Sequence, residues 1–314
     1  ILAEQHLATF RGWLAPLGIE TAWLSGKSKG AAREEELQKI KRGDAQIIIG
    51  THALFQKDVV FQKLGLVIID EQHRFGVNQR LALRQKGIFK NINPHQLIMT
   101  ATPIPRTLTM TLYADMDVSV IDELPPGRTE VRTTVLADTR RAEVIERIQA
   151  LCTEGAQAYW VCTLIEESEV LESKAAAETL KELTNTLPNL SISLIHGRMK
   201  PAEKAKIMCR FKEGEVDLLV ATTVIEVGVD VPNASLMVIE NSERLGLAQL
   251  HQLRGRVGRG QTASHCVLLY KSPLGELSRR RLEVMRNSND GFFIAEEDLR
   301  IRGPGELLGS KQSG

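Results

Sequence analysis

Runs of apolar residues alternate with amphipathic stretches along most of the chain. Seven short runs have the length and composition of buried parallel strands. They are Gln46–Gly50, Leu64–Asp70, Gln96–Ala101, Ala158–Thr163, Ser191–His196, Val216–Thr223 and Ser235–Glu240. Between them, apolar residues recur at helical spacing in Glu34–Arg42, Arg140–Cys152, Glu167–Asn185 and Pro201–Phe211. The alternation predicts an α/β fold of parallel sheets with right-handed crossovers and helices on both faces of each sheet.

A segment rich in proline and glycine divides the chain into two lobes. Glu123–Glu130 has the sequence ELPPGRTE, whose two prolines and one glycine interrupt any helix or central strand. We therefore predict one lobe at residues 1–124 and a second at residues 125–272. From Pro273 the strand rhythm stops, so residues 273–314 are predicted to form an added segment of basic helices with a glycine-rich tail. A chain of 314 residues has room for two lobes of roughly 100–200 residues each.

The composition of the chain says little about whether it binds nucleic acid or a membrane. The chain is 43% hydrophobic and 25% charged, with a formal net charge of +1 and a pI near 7.9. Such a chain neither requires nor excludes nucleic acid, so a DNA-binding surface must be a local basic track. No apolar run is long enough to span a membrane and no signal peptide is visible, so we expect no membrane partner. The chain begins at Ile1, inside an apparent helix, and we expect it to be a fragment of a longer protein.

The four cysteines do not predict a zinc site. Cys152, Cys162, Cys209 and Cys266 lack the close spacing of zinc ligands, and each lies in or beside an apolar stretch. We therefore expect four buried free thiols in a reducing compartment.

The strongest chemical motif is an acidic strand end, LVIIDEQHR. In open α/β sheets, ligands bind beyond the carboxyl ends of the strands, and a carboxylate there can hold Mg²⁺. Asp70 would hold the metal directly or through water, and Glu71 would polarise the attacking water. Gln72 and His73 would sense the phosphate. Taken alone, a polar strand end without a catalytic role is the better interpretation, and the motifs that follow reverse that preference.

Two further strand ends carry small hydroxyl side chains. Thr100 and Thr102 lie in TATPIPRT, whose prolines suit the start of a helix. Thr222 lies in ATTVIEVGVDVPNA and could bond a nucleic-acid phosphate, while Gly228 and Asp230 could reach a nucleotide. The alternatives are an ordinary strand-to-helix turn for the first motif and a loop with a buried Asp–Arg pair for the second.

The segment QLHQLRGRVGRG has the residue types of an arginine-finger element. Arg256 and Arg259 would share one face if the segment were helical. Arginine supplies a fixed positive charge that can stabilise a γ-phosphate as its bond breaks, worth on the order of 10³–10⁵ in rate. The alternative is a solvated basic face, which the interleaved glycines and Gln252 disfavour.

A Gly-Lys-Ser tripeptide near the start of the chain does not predict a nucleotide loop. A phosphate-binding P-loop has the pattern G-x-x-x-x-G-K-[ST]. The first glycine would fall on Thr21, so we interpret Ser25–Gly30 as a turn that faces DNA or solvent.

These motifs, in this order, resemble superfamily 2 helicases. Longer strings are similar to the RecG family of bacterial ATP-dependent DNA helicases, and the resemblance covers essentially the whole chain. The strings are Asp70–Arg80, Met99–Arg128, the IHGRM of Ile195–Met199 and Phe292–Gly314. The transcription-repair translocase Mfd is an alternative, but its usual Asp-Glu-Glu-Gln box differs from the DEQH found here. A third alternative is a DNA-binding module without catalytic activity. The DEQH motif of this chain and the pair Arg256 and Arg259 make that alternative less favourable.

The resemblance implies two RecA-like lobes, the first incomplete, followed by a helical hairpin and loop that couple ATP to DNA movement. It implies ATP and Mg²⁺ as cofactors. The hydrolysis residues would be Asp70, Glu71, Gln72, His73, Gln252, Arg256 and Arg259, with Gly228 and Asp230 also at the nucleotide. The DNA-facing and coupling residues would be Gly50, Thr51, His52, Thr100, Thr102, Thr222, Arg300, Arg302 and Gln312.

The family further implies a monomer in the bacterial cytoplasm that remodels branched or double-stranded DNA in recombination and repair, with single-stranded DNA-binding protein as a candidate partner. The family's Walker A loop and its wedge domain have no counterpart in this sequence. We therefore expect the chain alone to hydrolyse little or no ATP, and its first lobe to be the less stable one.

Overall fold

The computed structural model describes residues 2–71, 86–87, 93–100, 116–123, 128–163, 169–222, 231–260 and 262–302. The chain divides into two compact units, Ile1–Ala101 and Thr102–Ser313. The lobe boundaries predicted at residues 124 and 272 remain predictions.

The first unit consists of helices and short parallel strands. Its helices are α1 (Leu2–Leu14) and α2 (Gly30–Arg42), and its strands are β1 (Thr21–Leu24), β2 (Ile47–Gly50), β3 (Leu66–Ile69) and β4 (His95–Ile98). In the described part of this unit the strands form two separate parallel pairs, β1 with β2 and β3 with β4. Single 3₁₀ turns cover Ala15–Leu17 and His52–Phe55.

The prediction that strands of the first lobe are buried on both faces is wrong for β3 and β4. Val67 and Ile69 of β3 are buried, but the side chains between them point to an exposed face. On that face Ile68 is 53% exposed and Leu97 of β4 is 47% exposed. Alternate side chains of a strand point to opposite faces, so a sheet covered on one side leaves the other set open. This pair of strands therefore has an open apolar face.

The second unit contains a six-stranded parallel sheet in the order β5-β10-β9-β6-β8-β7. The strands are β5 (Val131–Ala137), β6 (Gln157–Val161), β7 (Ile192–Ile195), β8 (Leu218–Ala221), β9 (Ala234–Ile239) and β10 (Ser264–Tyr270). The helices are α3 (Arg141–Thr153), α4 (Glu169–Thr186), α5 (Pro201–Lys212), α6 (Leu247–Arg254), α7 (Glu276–Asn287) and α8 (Gly291–Arg302). The three central strands β6, β8 and β9 are buried along their whole length.

The core of the second unit has two layers, one on each face of this sheet. One layer includes Tyr159, Phe211, Met237 and Met285, and the other includes Trp160, Leu183 and Ile148. Because the central strands carry apolar side chains on both faces, a layer of helices must cover each face of the sheet. This is the arrangement expected from the unbroken apolar runs of the sequence.

Most of the predicted elements are present. All seven predicted strands and all four predicted helices occur, with bounds that shift by at most four residues. The basic region after Pro273 forms α7 and α8. Three strands, β1, β5 and β10, were not predicted. None of the described helices is long and apolar enough to cross a membrane.

The prediction of four buried thiols holds for three cysteines. Burial raises the pKa of Cys152, Cys162 and Cys266 to about 12, so these thiols are poor nucleophiles. Cys209 is exposed on α5, and that part of the prediction is wrong. The apolar residues beside Cys209 in sequence point to the other side of the helix.

We expect Ile1–Leu124, expressed alone, to be digested by thermolysin faster than Thr129–Tyr270. The reason is the open apolar face of β3 and β4, in contrast to the doubly covered sheet of the second unit. Proteolysis of open states follows the free energy of opening. The two segments would be compared at equal enzyme ratio and temperature, and the reverse order of digestion would contradict this expectation.

Candidate functional site

The predicted acidic turn lies directly after β3. That strand ends at Ile69, and Asp70 and Glu71 follow it at the carboxyl end. Glu71 has a φ of 51°, in the left-handed region where a non-glycine residue costs about 1–2 kcal/mol. Its N–H donates to Asp70 Oδ1 over 2.9 Å. Backbone strain of this kind is concentrated at functional sites, so the turn is a candidate site in the first unit.

A histidine that is not among the predicted site residues lies beside the acidic turn. His6, on α1, places Nε2 3.6 Å from Asp70 Oδ2, and both side chains are partly exposed. Among the described residues no group of three or more His, Cys, Asp or Glu could hold a metal ion. Mg²⁺ commonly takes one or two carboxylates and fills its other positions with water and substrate phosphates. Asp70 therefore fits Mg²⁺ that arrives with a nucleotide.

The residues predicted to face DNA in the first unit lie at the ends of neighbouring strands. Gly50 ends β2, and a Cβ there would come within 2.3 Å of Leu24 O, so this close approach requires glycine. Thr51 N–H donates to the same carbonyl over 3.1 Å, and His52 is exposed at the start of a 3₁₀ turn. The turn at Ser25–Lys29, which contains the Gly-Lys-Ser tripeptide, follows the paired strand β1. Both segments therefore lie at the same edge of this strand pair.

Two predicted threonines also follow strands. Thr100 comes two residues after β4, whose parallel partner β3 leads to Asp70. In the second unit Thr222 directly follows β8 and is 1% exposed. Its N–H donates to Ile195 O over 3.1 Å. Each threonine is thus at a carboxyl strand end, where parallel sheets bind ligands.

The helical spacing expected for Arg256 and Arg259 is not present. α6 ends at Arg254, before either residue. Gly258 has a φ of 77°, so the chain turns sharply between the two arginines. Arg256 is half-buried and Arg259 is exposed, whereas Gln252 remains on the last turns of the helix. The arginines therefore occupy two different positions after α6 and do not form one helical face.

The buried side chain of Arg254 links the C-terminal end of α6 to the C-terminal end of α7 by hydrogen bonds. Arg254 is 3% exposed, and its guanidinium donates to Met285 O over 2.9 Å and to Ser288 O over 2.8 Å. Carbonyls at the C-terminal end of a helix lack helical partners and favour a cation. The guanidinium also donates to Thr133 Oγ1 over 3.2 Å and lies 3.1 Å from His251 Nδ1. All four partners are neutral or dipolar groups.

His251 is held in its neutral form beside this arginine. Burial, followed by the positive charge of Arg254, lowers the pKa of His251 to about 4. A neutral imidazole can accept a hydrogen bond at Nδ1, so His251 completes the set of acceptors around the buried guanidinium.

α7 also holds the segment in front of α6. Arg281 donates to Leu245 O over 2.9 Å and to Glu243 O over 2.8 Å. Because Arg254 ties the other end, α7 fixes both ends of the helix that leads to the predicted arginine fingers.

The two C-terminal helices are joined through a buried carboxylate. Glu297 on α8 accepts from Arg280 on α7 over 2.9 Å and from Arg300 over 2.6 Å. The hydrogen bond from Arg280, and a weaker effect of Arg300, lower the pKa of Glu297 against the opposing effect of burial. Arg300, a predicted coupling residue, is therefore engaged in an ion pair within the helical hairpin.

Arg302, the second predicted coupling residue, lies against the start of α6. It pairs with Asp298 over 2.8 Å. A Cβ at Gly246 would stand 3.3 Å from Arg302 Nη2, so glycine allows the guanidinium to come close. The C-terminal hairpin thus contacts α6 through Arg302 as well as through Arg254 and Arg281.

Some predicted residues lie outside the described part of the chain. They are Gln72, His73, Thr102, Gly228, Asp230 and Gln312. The roles of all the predicted site residues stay predictions, although the described ones do lie at strand ends or around α6. Sequence reasoning missed His6, Arg254, Arg281 and Glu297, since their partners come from distant segments. Of these four residues, only Arg254 lies inside a segment that the sequence analysis had selected as a motif, QLHQLRGRVGRG.

The chain matches three protein families. Residues 1–111 match the DEAD/DEAH box helicase family, and residues 141–261 match the helicase conserved C-terminal domain. Residues 288–314 match the family described as ATP-dependent DNA helicase RecG, domain 3, C-terminal.

Curated relatives match along the whole chain. The ATP-dependent DNA helicase RecG of Escherichia coli (strain K12) is 67% identical over 100% of this chain, which covers 46% of that relative. The RecG helicase of Aquifex aeolicus is 48% identical over 100% of this chain, which covers 40% of it. The chain therefore spans about half the length of the curated relatives it matches.

Solved structures agree with the fold. A structure of RecG bound to a three-way DNA junction has a TM-score of 0.76 and 45% identity, covering 98% of this chain and 39% of that one. The DUF1998 helicase MrfA bound to DNA has a TM-score of 0.67 and 18% identity, covering 92% of this chain and 44% of that one, a likeness of fold alone. The α/β fold with RecA-like helicase lobes is thereby confirmed.

We expect Arg254→Ala to lower the free energy of unfolding of the second unit by about 3 kcal/mol, since each buried acceptor left without a donor costs about 1–3 kcal/mol. Urea unfolding followed by circular dichroism measures this. Arg286→Ala, an exposed arginine on α7, is the matched control and should change stability by less than about 0.5 kcal/mol. Equal effects of the two substitutions would show that the buried contacts do not stabilise the unit.

Proposed function

Because the chain belongs to the RecG family of ATP-dependent DNA helicases, we propose that it forms most of an ATP-driven motor that moves on double-stranded DNA. The protein that contains it would remodel branched DNA, such as stalled forks and junctions, in recombination and repair. Support for branched DNA comes from the related RecG structure, which is bound to a three-way junction.

The observation that carries the enzymatic part of the proposal is the turn after β3. Two carboxylates follow a parallel strand, and the second, Glu71, sits in a strained left-handed conformation. A module that only binds DNA does not need this strain, because DNA affinity comes mainly from phosphate contacts with cations. A site that must place a carboxylate next to a reacting water does need a fixed geometry.

Asp70 is proposed to hold Mg²⁺ together with the phosphates of ATP, and the bound ion would neutralise charge on the transferred phosphoryl group. Glu71 would accept a hydrogen bond from the attacking water and polarise it. Arg256 and Arg259 would supply positive charge where the γ-phosphate develops negative charge. Gln252, Gln72 and His73 would orient the phosphate, and Gly228 and Asp230 would contact the nucleotide.

The DNA-facing part of the proposal rests on strand ends. Gly50, Thr51 and His52 and the turn after β1 would follow the DNA backbone, together with Thr100, Thr102 and Thr222. Motors must pass over any sequence, so these contacts are expected to be with phosphates and not with base edges. Arg300, Arg302 and Gln312 would couple the nucleotide state to movement. Arg300 and Arg302 lie on α8, and the contacts of α7 and α8 with α6 and the residues beside it involve Arg254, Arg281 and Arg302.

We propose that the motor works as a monomer in the bacterial cytoplasm, where its DNA substrate is found. The named relatives come from bacteria, which supports that location. Single-stranded DNA-binding protein is the candidate protein partner implied by the family.

We expect Glu71→Gln in the full-length protein to lower DNA-stimulated ATP hydrolysis at least about 100-fold, the usual contribution of a general base. DNA affinity should not change, because glutamine keeps the size of the side chain. Phosphate release and fluorescence anisotropy measure the two quantities. Glu34→Gln, an exposed carboxylate on α2, is the control. Retained hydrolysis in the Glu71 variant would contradict the assigned role.

The 314-residue chain alone should release phosphate from ATP at the background rate, with or without DNA. Its sequence contains no G-x-x-x-x-G-K-[ST] loop to cradle the β- and γ-phosphates. The full-length protein under the same conditions is the positive control. Robust DNA-stimulated hydrolysis by the 314 residues would overturn this expectation.

A further inference from the structure

A groove runs between α7 and one edge of the six-stranded sheet. β5 is the outermost strand on this side of the sheet, and its neighbour in the described part of the chain is β10. α7 packs against β5 and leaves an open cavity of about 510 Å³ beside the C-terminal half of the strand. Ligand-binding sites usually have volumes of about 300–1,000 Å³. The groove is therefore large enough to take side chains of another molecule.

The floor of the groove is apolar. It is lined by Val135 of β5, Tyr270 at the end of β10, Leu274 from the segment between β10 and α7, and Leu282 of α7. Leu282 is 2% exposed, whereas the other three side chains are only partly buried. Covering their remaining apolar surface with an apolar group would be favourable. The floor is therefore suited to a large apolar side chain.

The rim of the groove carries an excess of positive charge. Arg279, Glu283 and Arg286 are exposed and lie on one face of α7. Within the described part of the chain, the side chains of Arg279 and Glu283 form no ion pair, and Arg286 donates only to the neighbouring Asn287 Oδ1 over 3.3 Å. Two cations to one carboxylate make the rim complementary to an acidic partner.

The outer edge of β5 has main-chain groups that are available for pairing. Among the residues that the structure describes, the main chain of β5 hydrogen-bonds only to β10. Proteins commonly protect such an edge with prolines, charges or a bulge. β5 has no proline, an unbroken register with β10, and Arg132 as its single charged residue. An extended peptide can therefore add to the sheet at this edge as a further strand.

We propose that this groove binds an extended acidic segment of a partner protein, which pairs with β5 as an added strand. One large apolar side chain of the segment lies over Val135 and Leu282, and carboxylates close to it pair with Arg279 and Arg286. The inference does not rest on the proposed function, since no residue of the groove is assigned to ATP or DNA.

Two other occupants fit the groove less well. A DNA backbone would pair with the arginines, but it has no apolar group for the floor and no main chain for the strand edge. A second copy of this chain has a matching strand edge, but it would bring the same excess of positive charge against itself. An acidic peptide with an apolar side chain satisfies the floor, the rim and the edge together.

The test begins with a phage-displayed library of random peptides seven residues long, the length of β5. Peptides are selected on the 314-residue chain and counter-selected on its Arg279→Glu, Arg286→Glu double variant. Both arginines are exposed, so these substitutions should leave the fold intact, which circular dichroism checks. We expect the selected peptides to share one large apolar residue with aspartate or glutamate close to it. Failure to enrich such peptides would overturn the proposal.

The affinity of a selected peptide, labelled with fluorescein, is then measured by anisotropy. Arg279→Ala and Arg286→Ala should each raise Kd about threefold to fivefold, the usual effect of a partly exposed charge pair. Arg147→Ala is the matched control and should leave Kd unchanged, because Arg147 is exposed on α3, which packs on the opposite face of the sheet. Replacing the apolar residue of the peptide by serine should raise Kd at least about tenfold. Equal effects of the groove and control substitutions would contradict the proposed site.

N-methylated peptides test the strand pairing separately. A strand hydrogen-bonds to one neighbour through alternate residues, so methylating every second amide removes either the donors that face β5 or those that face solvent. One of the two methylation patterns should raise Kd at least about tenfold, and the other should leave it nearly unchanged. Equal effects of the two patterns would show that the peptide does not bind as an added strand.

Competition and light scattering distinguish the three occupants. Saturating duplex DNA should not displace the peptide; displacement would assign the groove to DNA, and the inference would be wrong. A dimer of the unchanged chain that dissociates when the peptide is added would assign β5 to a second copy and would also contradict the proposal. If the chain binds the peptide but not DNA, the proposed function fails and this inference stands.

Discussion

Every strand pairing in the described part of the chain is parallel, and this one constraint decides where the chemistry lies. Parallel hydrogen bonding places all carboxyl ends of a sheet at one edge. Polar residues that follow different apolar strands are therefore placed at the same edge of the sheet, even when they are far apart in the sequence. Asp70 and Thr100 thus lie at the same carboxyl edge in the first unit, and His196 and Thr222 do so in the second. The same constraint keeps His265 and Asp217 at the opposite edge.

Hydrogen bonds from two arginines fix the position of α6. At its C-terminal end Arg254 donates to carbonyls at the end of α7, and in front of its N-terminal end Arg281 of α7 donates to Glu243 O and Leu245 O. The buried guanidinium of Arg254 is satisfied by carbonyls, a hydroxyl and a neutral imidazole. Removing such a cation leaves several acceptors unpaired at once. These contacts join the C-terminal hairpin to the helix that precedes Arg256 and Arg259.

The sequence predicted the parts of the fold that depend on local pattern. Unbroken apolar runs marked the central strands, because strands buried on both faces cannot alternate. β5 was missed because VRTTVLA is a half-buried edge strand with polar residues in it. Arg256 and Arg259 would share a face only in a helix, but the helix ends at Arg254 and Gly258 takes a positive φ between them, which no pattern of charges reveals. In the sequence, Arg254 looks the same as Arg256 and Arg259. What makes it a buried structural arginine is its hydrogen bonds to Met285 O and Ser288 O, which are distant in sequence. The strand-end carboxylates were predictable because their position follows from a single apolar run.

If the carboxyl edges of the parallel strands in each unit bind DNA, hydrogen–deuterium exchange of the 314-residue chain should change there when a three-way DNA junction is added. We expect slower exchange on DNA binding in peptides that cover residues 50–55, 195–200 and 220–222. We expect no change in peptides at the amino edge of the second sheet, residues 187–191 and 213–217. Protection at the amino edge, with none at the carboxyl edges, would show that DNA binds elsewhere.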